Sequence, residues 1–388
     1  MESYETKKPI EVMLRDRATD RRLPFSGGME LLPLCNMHCN MCYIRREKAD
    51  LLPAGVWLKI ARSARDAGVL MLLLTGGEAL LHPEFKQIWR QLQKMGFVLT
   101  LNTNGALLNE EWADFFCENP CRKINVSLYG ASAETYGRLC HCPEGFAKTV
   151  NGIRLLKEKN IPCVIHIMLV KENREDLAGM MRVARELDVP ATPVVYAFPP
   201  VRGGNLRDFS ASRMSPEEAA ASDVERRLLN LPADAAQRSA ETFFDQLTGT
   251  FDPPAYEKGF SCIAGKSSFW INWQGELSAC AMIPGPSYDV TEHSFQSAWE
   301  NVVRDTAQAE TCRECRLCRK QFFCPSCAAA MYAENKDMRR TPAYLCRMTD
   351  EEIRIMFTRL PSEKQEKYRA AMRDCGMEGL CPSRPGAV

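Results

Sequence analysis

The chain has 388 residues, a formal net charge of +1 and a composition that is 45% hydrophobic and 26% charged. That balance is globular and too apolar for a disordered chain, and the length suits about two or three domains. A charge this close to zero argues against the simplest nucleic-acid or anionic-membrane binder, which needs a basic excess.

The N-terminal stretch MESYETKKPIEVMLRDR carries charges throughout and no apolar core, so it is not a secretory signal. No apolar run approaches the ~20 residues that span a bilayer. The expectation is a cytoplasmic protein. There disulfides are disfavoured, so the 18 cysteines read as metal ligands or catalytic thiols. Their density is also below the ~8–10% of small disulfide scaffolds.

In chain order, GMELLPL (28–34) reads as a strand and 52–67 as an amphipathic helix ending at Gly68. VLMLLLT (69–75) is a continuous apolar run, the pattern of a parallel strand buried on both faces. A helix follows His82-Pro83 to about Lys94. Strands are expected at 98–102, 124–128, 164–169 and 192–198, and helices near 109–117, 143–159 and 173–187. Six β-then-α units predict a parallel sheet, open or closed. Fewer than eight units suggests an incomplete barrel, although pattern alone does not separate that from a doubly wound sheet.

Residues 199–214 read as a Pro/Gly/Ser-rich loop, followed by helices at 215–229 and about 233–248. The stretch 255–350 is rich in cysteines and turns, with a hairpin expected at 269–280. Residues 349–374 read as one charged amphipathic helix, and the tail PSRPGAV as disordered.

Cys35, Cys39 and Cys42 form a CxxxCxxC motif at the C-terminal end of the first strand, where parallel α/β folds build their sites. Three thiolates on one loop can hold three irons of a [4Fe–4S] cube and leave the fourth open. His38 inside the motif keeps a zinc site as the other reading. A structural or redox cluster with a distant fourth cysteine is a third.

CxxxCxxC followed by an aromatic residue, here Tyr43, resembles the signature of radical S-adenosylmethionine (radical SAM) enzymes. In that family the open iron chelates SAM, and one electron cleaves SAM to a 5′-deoxyadenosyl radical that abstracts a substrate hydrogen. Thr75-Gly76-Gly77-Glu78 resembles the family's GGE motif, whose backbone and carboxylate meet the SAM ammonium. Asn102-Thr103-Asn104-Gly105 resembles its TNG segment. The resemblance also places Ser127, at the end of the fourth strand, toward the cofactor, and His166, which alternates with Met168 on the fifth strand, is a further cofactor-binding candidate.

Cys262-x12-Gly275-x4-Cys280, then Cys315-x2-Cys318-x5-Cys324-x2-Cys327, then Cys346 resembles the SPASM extension of peptide- and protein-modifying radical SAM enzymes. The last inner gap is two residues where that pattern has three. The resemblance implies two auxiliary [4Fe–4S] clusters, one on Cys262, Cys280 and Cys327, the other on Cys315, Cys318, Cys324 and Cys346. Eight ligands would close both clusters, seven would leave one iron open, and Cys312 is the candidate eighth. A pair of zinc knuckles is the other reading of this region.

Cys117, Cys121 and Cys163 read as small buried hydrophobes, and Cys375 and Cys381 as bystanders. Cys140 and Cys142 could face the barrel mouth and return a hydrogen atom to a substrate radical. Arg202-Gly203-Gly204 could meet substrate or turn the chain.

The expected architecture is α/β: a partial (β/α)6 TIM-like barrel followed by a small SPASM iron–sulfur domain. Its boundaries are an extension at 1–27, the barrel at 28–230, a helical linker at 231–254, the cluster domain at 255–350, and a helix and tail at 351–388. The expected function is a radical SAM oxidoreductase that modifies a peptide or protein, in the manner of enzymes that mature ribosomally made peptides or sulfatases. Its expected partners are a peptide or protein substrate and a flavodoxin- or ferredoxin-type electron donor, with no nucleic acid and no membrane. The 34 residues before Cys35 are too few for a winged-helix leader-binding module of ~80 residues, so a leader would be bound otherwise or by a separate protein. The competing readings are a small-molecule radical SAM dehydrogenase or epimerase acting on a sugar or alcohol, and a non-catalytic iron–sulfur or zinc-binding protein.

Overall fold

A computed structural model describes residues 9–381 apart from 45, 203–205 and 230. Six parallel strands follow one another across a sheet: β1 (Ser26–Glu30), β2 (Met71–Thr75), β3 (Val98–Thr103), β4 (Lys123–Ser127), β5 (Cys163–Met168) and β6 (Ala191–Val194). Each pairs in parallel with the next, with helices in the connections. β6 does not return to β1, so the barrel is partial, as the six β–α units predict.

The strands alternate between two environments. Leu72, Leu74, Leu99, Leu101, Ile124, Val126, Ile165 and Ile167 are buried under the helices with Trp57, Trp89 and Phe116. The other face is polar: the register puts Asn102 beside Asn125 and Ser127 beside His166. In β2, Met71 and Leu73 are only half-buried, so the continuous apolar run has one covered face and one turned to an open lumen. A complete barrel would fill that lumen with side chains.

The hairpin expected at 269–280 is present as β7 (Ser268–Ile271) and β8 (Glu276–Ser278), with β9 (Tyr288–Asp289) beyond. Its placement is unforeseen, because β7 adds in parallel to β1 and extends the barrel sheet to nine strands. Gly28 makes this possible: a Cβ there would lie 2.3 Å from the Trp270 ring, so only glycine lets that indole cross the strand.

Three helical expectations change. Ala133–Cys140 is a separate short helix, its N-terminus capped by Ser132 accepting from the Thr135 N–H at 3.2 Å. Leu206–Ser212 is helical inside the expected loop. The single helix at 349–374 is two, Ala343–Thr358 and Ser362–Asp374, because Pro361 cannot supply the N–H that would continue the first. The expected disordered tail lies outside the described residues.

Candidate active site

The cysteine loop rises from the end of β1 and is held on two sides. On one side the β2 turn zips to it, with Gly77 N–H donating to Leu32 O at 2.7 Å and Glu78 N–H to Leu34 O at 2.8 Å. On the other, His38 N–H donates to Cys140 O and Asn40 N–H to Leu139 O, both at 3.0 Å. The Asn40 side chain bridges Glu172 at 2.9 Å and His141 at 2.8 Å. Of the two cysteines expected as hydrogen-atom donors, Cys140 therefore belongs through its carbonyl to the scaffold behind the loop, and Cys142 follows it by two residues. Both are buried, and neither is among the residues that line the cavity in front of it.

That cavity, of about 290 Å³, lies over the strand ends. Cys35, Cys39, Cys42, Tyr43, Gly76, Gly77, Asn102, Asn104 and Ser127 line it, so most of the expected cofactor residues converge on one space. Cys35 accepts from the Met37 N–H at 3.4 Å and from Asn104 Nδ2 at 3.6 Å. Burial, then the nearby charges of Glu78, Cys39 and Cys42, push its thiol up to about 12. A thiol whose ionisation two neighbouring thiolates oppose belongs to a donor set that a multi-iron cation relieves. Among the described residues no three His, Cys, Asp or Glu side chains gather tightly enough for one ion; a cube spreads its thiolates over its corners and needs no such convergence.

Two expected cofactor residues stand elsewhere. Glu78 is fully buried and does not line the cavity. Its carboxylate accepts from Thr103 Oγ1 at 2.9 Å, the Asn104 N–H at 2.8 Å and the Leu80 N–H at 3.2 Å. It thus ties the GGE turn to the TNG segment. Burial raises its pKa to about 7 against these stabilising hydrogen bonds. His166 lies in the lumen outside the lining, with Nε2 buried and no partner among the described residues. Burial, then the Lys123 charge, lowers its pKa.

The sequence reading missed Tyr129, Phe198 and Met282, which also line the cavity. Tyr129 follows Ser127 by two residues and could have been found from that spacing. Met282 comes from the cysteine-rich region, two residues after Cys280, and brings that region into the cavity wall.

The later cysteines form two groups. The thiols of Cys262 and Cys327 act on Cys280, which burial, chiefly, raises to about 11. Cys315, Cys318, Cys324 and Cys346 line a second cavity of about 470 Å³, and Cys327 lies on its wall too, so the two groups adjoin. Cys312 belongs beside this second group. Fully buried, it donates to Glu314 at 3.1 Å, and after burial its contact is the largest cause of the raised Cys315 pKa.

A cysteine triad above a partial barrel faces a cavity lined by Gly76, Gly77 and the strand-end amides, the arrangement expected of an enzyme that does radical chemistry with SAM. Residues 29–184 match the family model of the radical SAM superfamily. The AdoMet-dependent heme synthase of Methanosarcina barkeri is 26% identical over 335 residues, 79% of this chain and 92% of that protein. The PqqA peptide cyclase of Ruegeria pomeroyi is 26% identical over 327 residues, 80% of this chain and 84% of that protein. In fold, the chain resembles Streptococcus suis SuiB bound to precursor peptide SuiA, with a TM-score of 0.59 at 15% identity over 87% of this chain and 82% of that one. No helix among the described residues is long and apolar enough to cross a membrane.

Proposed function

We infer that this enzyme modifies a peptide by radical chemistry, with Cys35, Cys39 and Cys42 holding the SAM-binding cluster. When bound, the cluster and SAM supply the 5′-deoxyadenosyl radical. Gly76, Gly77, Asn104 and Ser127 offer backbone and polar groups to orient SAM, and Tyr43 and Met41, both on the cavity wall, help to exclude water. The observation that carries the reading is the shared cavity wall: Met282, next to the Cys262–Cys280–Cys327 group, faces the same space as the cysteine loop. Auxiliary clusters on that group and on Cys315, Cys318, Cys324 and Cys346 would lie where electrons from an oxidised substrate can leave. The division into a barrel at 28–230 and a cluster domain at 255–350 follows from this assignment, as do a cytoplasmic setting and a flavodoxin- or ferredoxin-type donor. The relatives named for a peptide cyclase and a precursor peptide support a peptide as substrate.

Anaerobic reconstitution is expected to give about twelve irons per chain, three cubes of four, and 5′-deoxyadenosine on reduction with SAM. Co-expression with a short peptide encoded beside the gene should lower that peptide's mass by two hydrogens. Zinc in place of iron, with no SAM cleavage, would refute the enzyme. SAM cleavage with every candidate peptide unchanged would favour a second reading, oxidation of a small molecule, which the match across most of a heme synthase supports.

In this assignment Cys312 is a bystander, and the Cys262–Cys280–Cys327 cluster keeps one iron free of protein thiolate. Cys312→Ala should therefore retain the full iron content, whereas Cys280→Ala should lose about four irons, both read by iron and sulfide assay.

A further inference from the structure

Arg202 opens a motif whose role the sequence leaves between substrate contact and turn; Gly203 and Gly204 lie outside the described residues. Its guanidinium reaches across the barrel mouth to Glu30, the last residue of β1, through contacts of 2.8 and 3.3 Å. Glu30 is fully buried and the Arg202 side chain is 11% exposed. Trp270 Nε1 donates to the same carboxylate at 3.1 Å. The Arg202 carbonyl accepts from Arg46 at 3.2 Å. The guanidinium also faces the rings of Tyr43, at 5.7 Å, and Trp273, at 6.0 Å.

This cluster stands between the two metal-binding regions. Tyr43 adjoins Cys42 and lines the same cavity as Met282, two residues after Cys280. Arg202 in turn acts on Cys280. A buried ion pair is a poor source of stability, because desolvation offsets the attraction. At a metal site it has another use, since a fixed charge in a medium of low dielectric shifts the potential of a nearby cluster.

We propose that Arg202 is a positioning residue shared by the two sites. Clamped by Glu30, its guanidinium sets the charge felt by the Cys262–Cys280–Cys327 group and holds Tyr43 and Trp273 as the wall between that group and the SAM loop. The proposal rests on the reading that those three cysteines hold a cluster. Arg202 and Glu30 carry opposite charges, so their removal has opposite effects. Removing the cation disfavours the reduced cluster, and removing the anion favours it.

The test is a potentiometric titration of the reconstituted full chain followed by electron paramagnetic resonance, with Cys280→Ala marking the signal of this cluster. Arg202→Gln is expected to move its midpoint to more negative potential, Glu30→Gln to more positive potential, and Arg202→Lys to leave it near the unaltered value. Shifts of the same sign in the first two variants, or no shift in either, would overturn the proposal. If Arg202→Gln fails to take up iron, Glu30→Gln decides: a positive shift supports the role and an unchanged midpoint refutes it. A chain that binds only the SAM cluster's iron before any substitution would instead refute the auxiliary-cluster reading itself, and this proposal with it.

Discussion

Gly77→Ala is expected to lower SAM cleavage by at least about a hundredfold. A Cβ at this position would lie 2.3 Å from Leu34 O, 2.7 Å from Leu34 C and 2.8 Å from Pro33 O. All three are backbone atoms of the segment that leads directly into Cys35, so no side chain can rotate away. The turn must separate from the loop, breaking the hydrogen bonds from Gly77 N–H and Glu78 N–H. A displacement of about 1 Å in a catalytic constellation can cost about a hundredfold in rate. Chromatographic assay of 5′-deoxyadenosine under reducing conditions measures the effect. Gly55→Ala is the control, since a Cβ on that helix meets nothing within 4 Å. Equal activity in the two variants would show that the close approach is not needed.

The second large effect concerns Glu78. Its replacement by alanine leaves the Asn104 and Leu80 N–H groups and the Thr103 hydroxyl without their buried acceptor. At roughly 1–3 kcal/mol for each unsatisfied group, a loss of about 3 kcal/mol in stability is expected. The loosened TNG segment should also weaken SAM binding by at least about tenfold, or about 1.4 kcal/mol. Glu78→Gln isolates the charge. The carboxyl has a folded pKa of about 7 against an ordinary 4.5, so the folded state holds the proton more tightly than the unfolded state. Stability from this group is therefore greatest below about pH 4.5, falls as pH rises toward 7, and is flat above. The fall amounts to about 3 kcal/mol, and Glu78→Gln should remove it. Denaturant titrations of the iron-free chain at pH 5 and pH 8 measure the difference; an unchanged pH slope in the variant would refute the assignment.

Residues that share a strand end were the most legible part of the site. CxxxCxxC, GGE, TNG and Ser127 each follow a strand, and parallel pairing delivers all four to one edge of the sheet. Less legible was the direction in which each side chain points. Glu78 and Asn104 look alike as polar residues after a strand, yet one turns inward to hold the turn and the other faces the cavity. The alternation of β5 likewise places His166 in the lumen, but nothing local tells whether SAM reaches that depth. Contacts distant in sequence left no trace at all. Glu30 and Arg202 are 172 residues apart, and neither has neighbours that announce an ion pair. The addition of β7 to β1 is similar: the hairpin is readable from its turn, but the glycines that admit its aromatic residues read as ordinary strand interruptions.

That addition has a consequence for how the protein can be divided. β1 carries the cysteine loop and is an interior strand only because β7, more than two hundred residues later, covers its outer side. Cutting the chain before the cysteine-rich region would turn β1 into a bare edge, with unpaired backbone groups open to any other strand. It would also remove Trp270, whose indole Gly28 accommodates and whose Nε1 donates to Glu30. The boundary drawn from cysteine spacing therefore divides cofactors rather than folding units. A truncated barrel would be expected to aggregate, and a C-terminal half exchanged from a relative would have to bring a strand shaped to these same glycines.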